Sequence, residues 1–312
     1  MKSNVLLTGY SGFIGSYLYQ QLSDSNHNTF TLGRSDINIS NHTYFEVNDT
    51  EIHLPDIEYD KVIHSMGLAH SIDSDKELFN LVNVRSTKLL TRALGNLTNA
   101  PKEFIYISSV AVYGAEAGEM IAELTDKNPM NEYGKSKLAS ENHLIDWCSI
   151  NNVKLIIFRL PLVVGSNPKG NLKKIAKAIK SGHYLKIKNN HAKKSAVLLS
   201  DVSDIVLSEN LVTGCYNLTD GYHPTFSEIE DAISTRFHTK IRVVVPFYVL
   251  MFIAKFIDTL SKVTSIKMPF SSTTLKKMSS TLTFDDSKAT DALNWAPSSV
   301  LEFLKDEFRH TT

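Results

Sequence analysis

The chain has 312 residues, 33 Lys and Arg against 33 Asp and Glu, and no net charge. This length holds one large or two modest domains with a substantial core, and the balanced charge argues against a nucleic-acid or anionic-membrane binder. Cys148 and Cys215 are too few for a disulfide framework, and no basic-then-apolar leader precedes the first apolar run, so a cytoplasmic protein without a signal peptide is expected.

Asn4–Thr8 is a short apolar run that predicts a buried parallel strand. Thr8-Gly9-Tyr10-Ser11-Gly12-Phe13-Ile14-Gly15 follows at once, and the next seven residues have helical character. The three glycines thus lie between strand and helix. Gly9 allows the tight turn, Gly12 lets backbone approach a pyrophosphate at the helix N-terminus, and Gly15 lets helix pack on strand. The spacing is Gly-x-x-Gly-x-x-Gly. Further apolar runs at Asn28–Leu32, Lys61–His64, Glu103–Ser108 and Val153–Arg159 alternate with helical stretches at Asp75–Leu94 and Tyr133–Cys148. That alternation predicts an α/β fold, a doubly wound parallel sheet of the Rossmann type.

Ser108-Ser109-Val110-Ala111-Val112-Tyr113-Gly114 follows the apolar run ending at Ile107. A serine just past a parallel strand points into the ligand crevice of such a sheet, and the Ser109 hydroxyl there can donate to a substrate oxygen. Tyr133-Gly134-Lys135-Ser136-Lys137 puts a phenol and an ammonium on one helix face. At ~5 Å and an effective dielectric of about 20 their attraction is roughly 3 kcal/mol, enough to lower the phenol by about 2 pKa units. Tyr133 would then be a usable acid/base near neutral pH.

With these three pieces in order, the chain resembles the extended short-chain dehydrogenase/reductases, the NAD-dependent epimerase/dehydratase family. The resemblance covers nearly the whole chain. It implies catalytic roles for Ser109, Tyr133 and Lys137, with Lys137 also binding the nicotinamide ribose. Gly9, Gly12, Phe13, Ile14 and Gly15 match the family's cofactor loop. Ser65, Met66 and Gly67, within Val62–Leu68, match its strand-four cofactor loop. Asn83-Val84 matches the asparagine–valine pair beside the cofactor, and Asp49 the aspartate near the adenine. On the substrate side the resemblance implies Ser109, Val110, and, in Lys169-Gly170-Asn171-Leu172, the diphosphate-binding Asn171 with Leu172. It also implies a homodimer through the helices at Asp75–Leu94 and Tyr133–Cys148.

The second strand's end separates the two dinucleotides. An acidic residue there binds the ribose 2′-hydroxyl and an arginine accommodates a 2′-phosphate. Here the family's acidic position falls on Gly33, followed by Arg34 and Ser35, which suit a phosphate. NADP(H) is therefore favoured; Asp36 leaves NAD(H) open. The implied activity is hydride transfer at C4 of a UDP-linked sugar. A 4-ketoreductase using NADPH from solution is favoured, a 4-epimerase recycling NAD is the alternative, and a non-catalytic dinucleotide sensor is the reading from another class. Surface polysaccharide biosynthesis is the expected setting.

The expected division is a dinucleotide-binding domain at residues 1–165 and a mainly substrate-binding domain at 166–312, with a late strand at Gly214–Leu218 returning to the main sheet. A helix is expected at Leu172–Ser181. Val243–Leu260 is strongly apolar, but Lys255 and Asp258 interrupt it short of the ~20 apolar residues a bilayer needs. It predicts a buried helix of the second domain; the alternative is an interfacial or oligomer surface, with Lys255, Lys262 and Lys267 toward headgroups. Lys193-Lys194 reads as a solvated loop. No histidine or cysteine spacing suggests a metal site.

Overall fold

The structure, a computed structural model, describes residues 2–34, 41–69, 76–168, 170–264 and 271–306. Seven strands form one parallel sheet: β1 (Asn4–Thr8), β2 (Asn28–Gly33), β3 (His42–Tyr44), β4 (Lys61–His64), β5 (Glu103–Ser109), β7 (Lys154–Leu160) and β11 (Gly214–Asn217), in the order β3-β2-β1-β4-β5-β7-β11. The five apolar runs are five of these strands, and the late return strand is β11, paired with β7 from Gly214↔Ile156 to Asn217↔Arg159. Strand order reverses between β1 and β4, where Thr8 pairs His64. Ligands of open parallel sheets bind past the C-terminal strand ends at such a reversal.

Alternate residues of each strand serve opposite faces. Val5, Leu7, Ile105, Ile107, Ile156 and Phe158 share one core cluster with α1 (Phe13–Ser23) and α6 (Leu199–Leu207). Leu6, Phe104, Tyr106, Leu155 and Ile157 share the other with α3 (Ser86–Gly95) and α4 (Glu132–Ile150). The stretch expected as one helix at Asp75–Leu94 is described from Lys76 and is not uniform: α2 (Lys76–Phe79) passes through a π-helical turn, Asn80–Arg85, into α3. Asn83 sits in that turn.

Beyond the small strands β6 (Gly118–Ile121) and β8 (Leu162–Val164) the chain builds a second layer. α5 (Gly170–Lys180), α7 (Phe226–Arg236) and α11 (Val300–Asp306) pack around Leu172, Ile229, Ile233 and Val300 together with β10 (Ala196–Leu198). β9 (Leu185–Ile187) pairs β12 (Val243–Val245), and β13 (Leu282–Phe284) pairs β6. α8 (Phe247–Thr264) and α9 (Ser272–Ser279) meet in a small cluster of Ile187, Leu250, Ala254 and Leu275. The expectation of a buried helix here holds for one face only, since Phe252 is 77% exposed and Phe256 66%. α10 (Ser287–Leu293) and Trp295 return to the first core.

Candidate active site

Gly9 follows β1 with φ +73°, a conformation that side chains avoid, and a Cβ there would stand 2.5 Å from the Met66 nitrogen. A Cβ at Gly15 would stand 2.0 Å from the Gly9 carbonyl. The turn therefore lies directly against the end of β4, with a path for backbone approach that any larger residue would fill. The N-cap of α1 is Gly12, which brings no capping side chain. A helix N-terminus in this setting suits a phosphate, so the residues present fit a dinucleotide's pyrophosphate over Gly12, Phe13 and Ile14.

The loop after β4 is held by a buried polar chain that sequence reading missed. Met66 N–H donates to Thr8 Oγ1 (3.3 Å), and Ser65 Oγ donates to the Thr8 carbonyl (2.7 Å). Thr87 Oγ1 donates to the Asn83 carbonyl (2.6 Å), so His64 Nε2 must donate to Thr87 Oγ1 (2.9 Å) and His64 Nδ1 must accept from Thr8 Oγ1 (2.6 Å). Burial, with a smaller contribution from the Lys137 charge, pushes His64 down to about 3, so the ring is neutral and each nitrogen has one role. Asn83 is buried; its Oδ1 accepts from Leu68 N–H (2.7 Å) and its Nδ2 donates to Ser136 Oγ (2.8 Å). The π-helical turn thereby fastens the loop after β4 to α4, and a Cβ at Gly67 would come 3.2 Å from Lys137 Nζ and 3.3 Å from Asn83 Oδ1.

Ser109 closes β5, where its Oγ accepts from Ala111 N–H (3.2 Å) and caps the 3-10 turn Val110–Tyr113. Val110 follows, half-buried. Asn131 caps α4 by accepting from Gly134 N–H (2.8 Å), which sets Tyr133 in the first turn. Tyr133 is half-buried, with its ring 6.1 Å from that of Phe79. Its phenol is raised, first by desolvation, while the hydrogen bond with Ser109 pulls it down. The expected lowering by Lys137 is not found. The Lys137 ammonium donates to the Ile107 carbonyl (2.8 Å), lies 4.7 Å from the centre of the Tyr106 ring, and is itself pushed down to about 8 by burial, against the attraction of Glu141. A shared helix face brings the pair close along the helix, but the tertiary packing aims the amine at the sheet.

Beneath these residues lies a buried ion pair. Arg159 on β7 donates from Nε and NH2 to the Glu141 carboxylate of α4 at 3.1 and 2.7 Å. Glu141 also accepts from Ser108 Oγ (2.5 Å), and Arg159 NH1 donates to the Tyr113 hydroxyl (2.9 Å), which donates to Asn217 (2.7 Å). One network thus ties α4, β5, β7, β11 and the turn after Ser109, fixing the strand that ends at Ser109 against the helix that carries Tyr133. No local spacing signals it, because its members come from separate elements of the sequence.

Arg34 is exposed at the end of β2; Ser35 lies outside the described residues. Asp49 is half-buried and accepts from Glu46 N–H (2.7 Å). Asn171 is exposed in the first turn of α5, whereas Leu172 is 3% exposed within the second layer's core, so of the pair Asn171 alone presents its side chain outward. Lys194 is not solvated as expected: its ammonium donates to the carbonyls of Lys277 (2.7 Å) and Ser280 (2.5 Å), and burial pushes it down to about 8. A cavity of about 550 Å³ opens beside Gly165, Ser166, Leu199 and Ser200; Ser109, Tyr133 and Lys137 do not line it.

Known proteins carry the same plan. The 4-epimerase of Escherichia coli O157:H7 for N-acetyl-alpha-D-glucosaminyl-diphospho-ditrans,octacis-undecaprenol is 27% identical over 297 residues, 92% of this chain and 89% of that protein. The structure of UDP-glucuronic acid 4-epimerase from Bacillus cereus, in complex with UDP-glucuronic acid and NAD, superposes with TM-score 0.72 at 17% identity and covers 98% of both chains. RMD from Pseudomonas aeruginosa, complexed with NADPH, gives 0.73 at 20%, over 98% of this chain and 97% of that one. At these identities the two structural likenesses are of fold. The profile of the NAD dependent epimerase/dehydratase family matches residues 5–208, and with that span including the glycine turn, Ser109, Tyr133 and Lys137, the chain belongs to this family of enzymes.

Proposed function

We propose that this enzyme is a 4-ketoreductase that takes NADPH from solution and reduces the C4 carbonyl of a UDP-linked 6-deoxy or N-acetyl hexose in surface polysaccharide synthesis. The observation that carries the choice is Arg34 at the end of β2, where Gly33 stands in place of an acidic ribose ligand. The pyrophosphate falls to the N-terminus of α1, the adenine side to Asp49, and the nicotinamide side to Gly67, Asn83 and Lys137. When bound, the dinucleotide supplies hydride to C4 of the sugar. Ser109 donates a hydrogen bond to the C4 oxygen and orients it. Tyr133, kept protonated by its raised pKa, gives its proton to that oxygen as the carbonyl becomes a carbinol. Lys137 meets the nicotinamide ribose and returns positive charge to the site. Asn171, exposed at the start of α5, receives the sugar-nucleotide diphosphate. The test is a screen of UDP-4-keto-6-deoxy-N-acetylhexose against UDP-N-acetylglucosamine. The proposal expects one NADPH consumed per product with a single C4 configuration.

A second reading is a 4-epimerase, favoured by the match to the E. coli 4-epimerase over 92% of this chain. It predicts interconversion of two C4-epimeric sugars by purified enzyme without added cofactor and without net absorbance change. The same assay on a polyprenyl-diphosphate sugar, the substrate type in that relative's name, decides whether the sugar's carrier is a nucleotide or a lipid.

A further inference from the structure

We infer that α8 is a membrane-docking element, and that it seats the enzyme on the surface of a bilayer containing anionic lipid. The helix is apolar nearly all round, which in a soluble setting belongs to a buried helix. Among its described side chains only Leu250 and Ala254 are buried, against Ile187 and Leu275, with Met251 packed beside them. The opposite side carries Tyr248, Val249, Phe252, Ile253, Phe256 and Leu260, all exposed, with Tyr248 at 74%, Phe252 at 77% and Phe256 at 66%. At i, i+3 and i+4 spacing these side chains form one continuous stripe. Exposed Val243 and Val244 on β12 lead into it. No described helix is long and apolar enough to cross a membrane, and Lys255 and Asp258 would break such a span. A helix with an apolar stripe and basic flanks lies in the plane of the interface.

Charge selects the occupant. The chain as a whole is neutral, yet residues 240–277 hold Lys240, Arg242, Lys255, Lys262, Lys267, Lys276 and Lys277 against a single acid, Asp258. Asp258 accepts from Ser272 N–H (3.1 Å), which engages it with α9. Lys240, Arg242, Lys255, Lys276 and Lys277 are exposed, with Glu116 3.8 Å from Lys277. Phosphate headgroups complement this segment, because Lys and Arg near an anionic surface are drawn to it. A second copy on the same stripe would bring two like-charged borders together. The balanced whole-chain charge, which argued against anionic membranes, hides this local excess.

The inference does not depend on which C4 reaction the enzyme performs. The test is sedimentation of the full-length chain with phosphatidylethanolamine/phosphatidylglycerol vesicles and with phosphatidylcholine vesicles, at low and high salt. Strong binding to the anionic vesicles, weakened by salt, is expected. Phe252→Ser with Phe256→Ser should lower partitioning by about tenfold or more, the scale of removing two large apolar side chains from an interface. Lys255→Glu with Lys276→Glu should weaken binding to the anionic vesicles alone. Both pairs are exposed, so unchanged thermal unfolding and dinucleotide binding serve as the folding control. Protein left in the supernatant with both vesicle types overturns the proposal. So does equal binding to both, or a lipid-free dimer in light scattering that the phenylalanine pair abolishes, which would assign the stripe to a second copy.

Discussion

Lys137 directs its ammonium to the carbonyl oxygen of Ile107, 2.8 Å away, although Tyr133 lies one helical turn before it on the same helix. The amine therefore sits between Gly67 and the Tyr106 ring. Burial makes its charge expensive. Its pKa falls from 10.5 in an open chain to about 8 here. The folded protein thus holds this proton less tightly than the unfolded chain. The penalty is full below about pH 8 and fades as pH rises toward 10.5, a stability gain with pH over that window. From those two values the cost at neutral pH is about 3 kcal/mol. Lys137→Met should accordingly raise the unfolding temperature of the ligand-free enzyme at pH 7, by less at pH 10, and should abolish most activity. Calorimetry at the two pH values checks this; a lower midpoint at pH 7 would show that the Ile107 bond outweighs the buried charge.

Tyr133→Phe should reduce the chemical rate by at least ~100-fold, the usual effect of losing a general acid/base. Dinucleotide binding, followed by fluorescence titration, should persist. Because the phenol is raised, ketone reduction should run flat through neutral pH and decline only on the alkaline side, while carbinol oxidation should climb as pH rises. Near-normal turnover in the phenylalanine variant would remove Tyr133 from the mechanism.

Arg34→Ala should weaken NADPH by about 1.5–3 kcal/mol, the scale of hydrogen bonds to a charged group, and leave NADH nearly unchanged. Separate titrations of the two cofactors read this out. Equal losses would sink the 2′-phosphate assignment and shift weight to the epimerase reading.

Glu141→Ala should destabilise the protein by about 3–5 kcal/mol, because it leaves the Arg159 guanidinium buried without its partner. Denaturant unfolding measures that loss. Arg159→Met in the same chain should restore part of it, since removing both charges is cheaper than stranding one. If the double variant is as unstable as the single, the pair's worth lies in geometry rather than in the orphaned charge.

The local pieces were legible because each is written in neighbouring residues. The glycine turn needs residues without side chains at fixed offsets, β1, β4 and β5 need apolar runs, and Ser109, Tyr133 and Lys137 follow their strand and helix directly. What depends on register between distant segments was not. The chain Thr8–His64–Thr87–Asn83 joins β1, β4 and the helix after it, and the Glu141–Arg159 pair joins residues on separate elements whose meeting is set by the pairing of β5 with β7. The direction of the Lys137 amine followed the same rule: spacing put it on the helix face of Tyr133, and packing against β5 chose its partner. For α8 the sequence determined that the helix is apolar and too short to span a bilayer. Only the tertiary structure decided that one face is buried and the other is not, because an apolar pattern records that a surface avoids water but not what covers it.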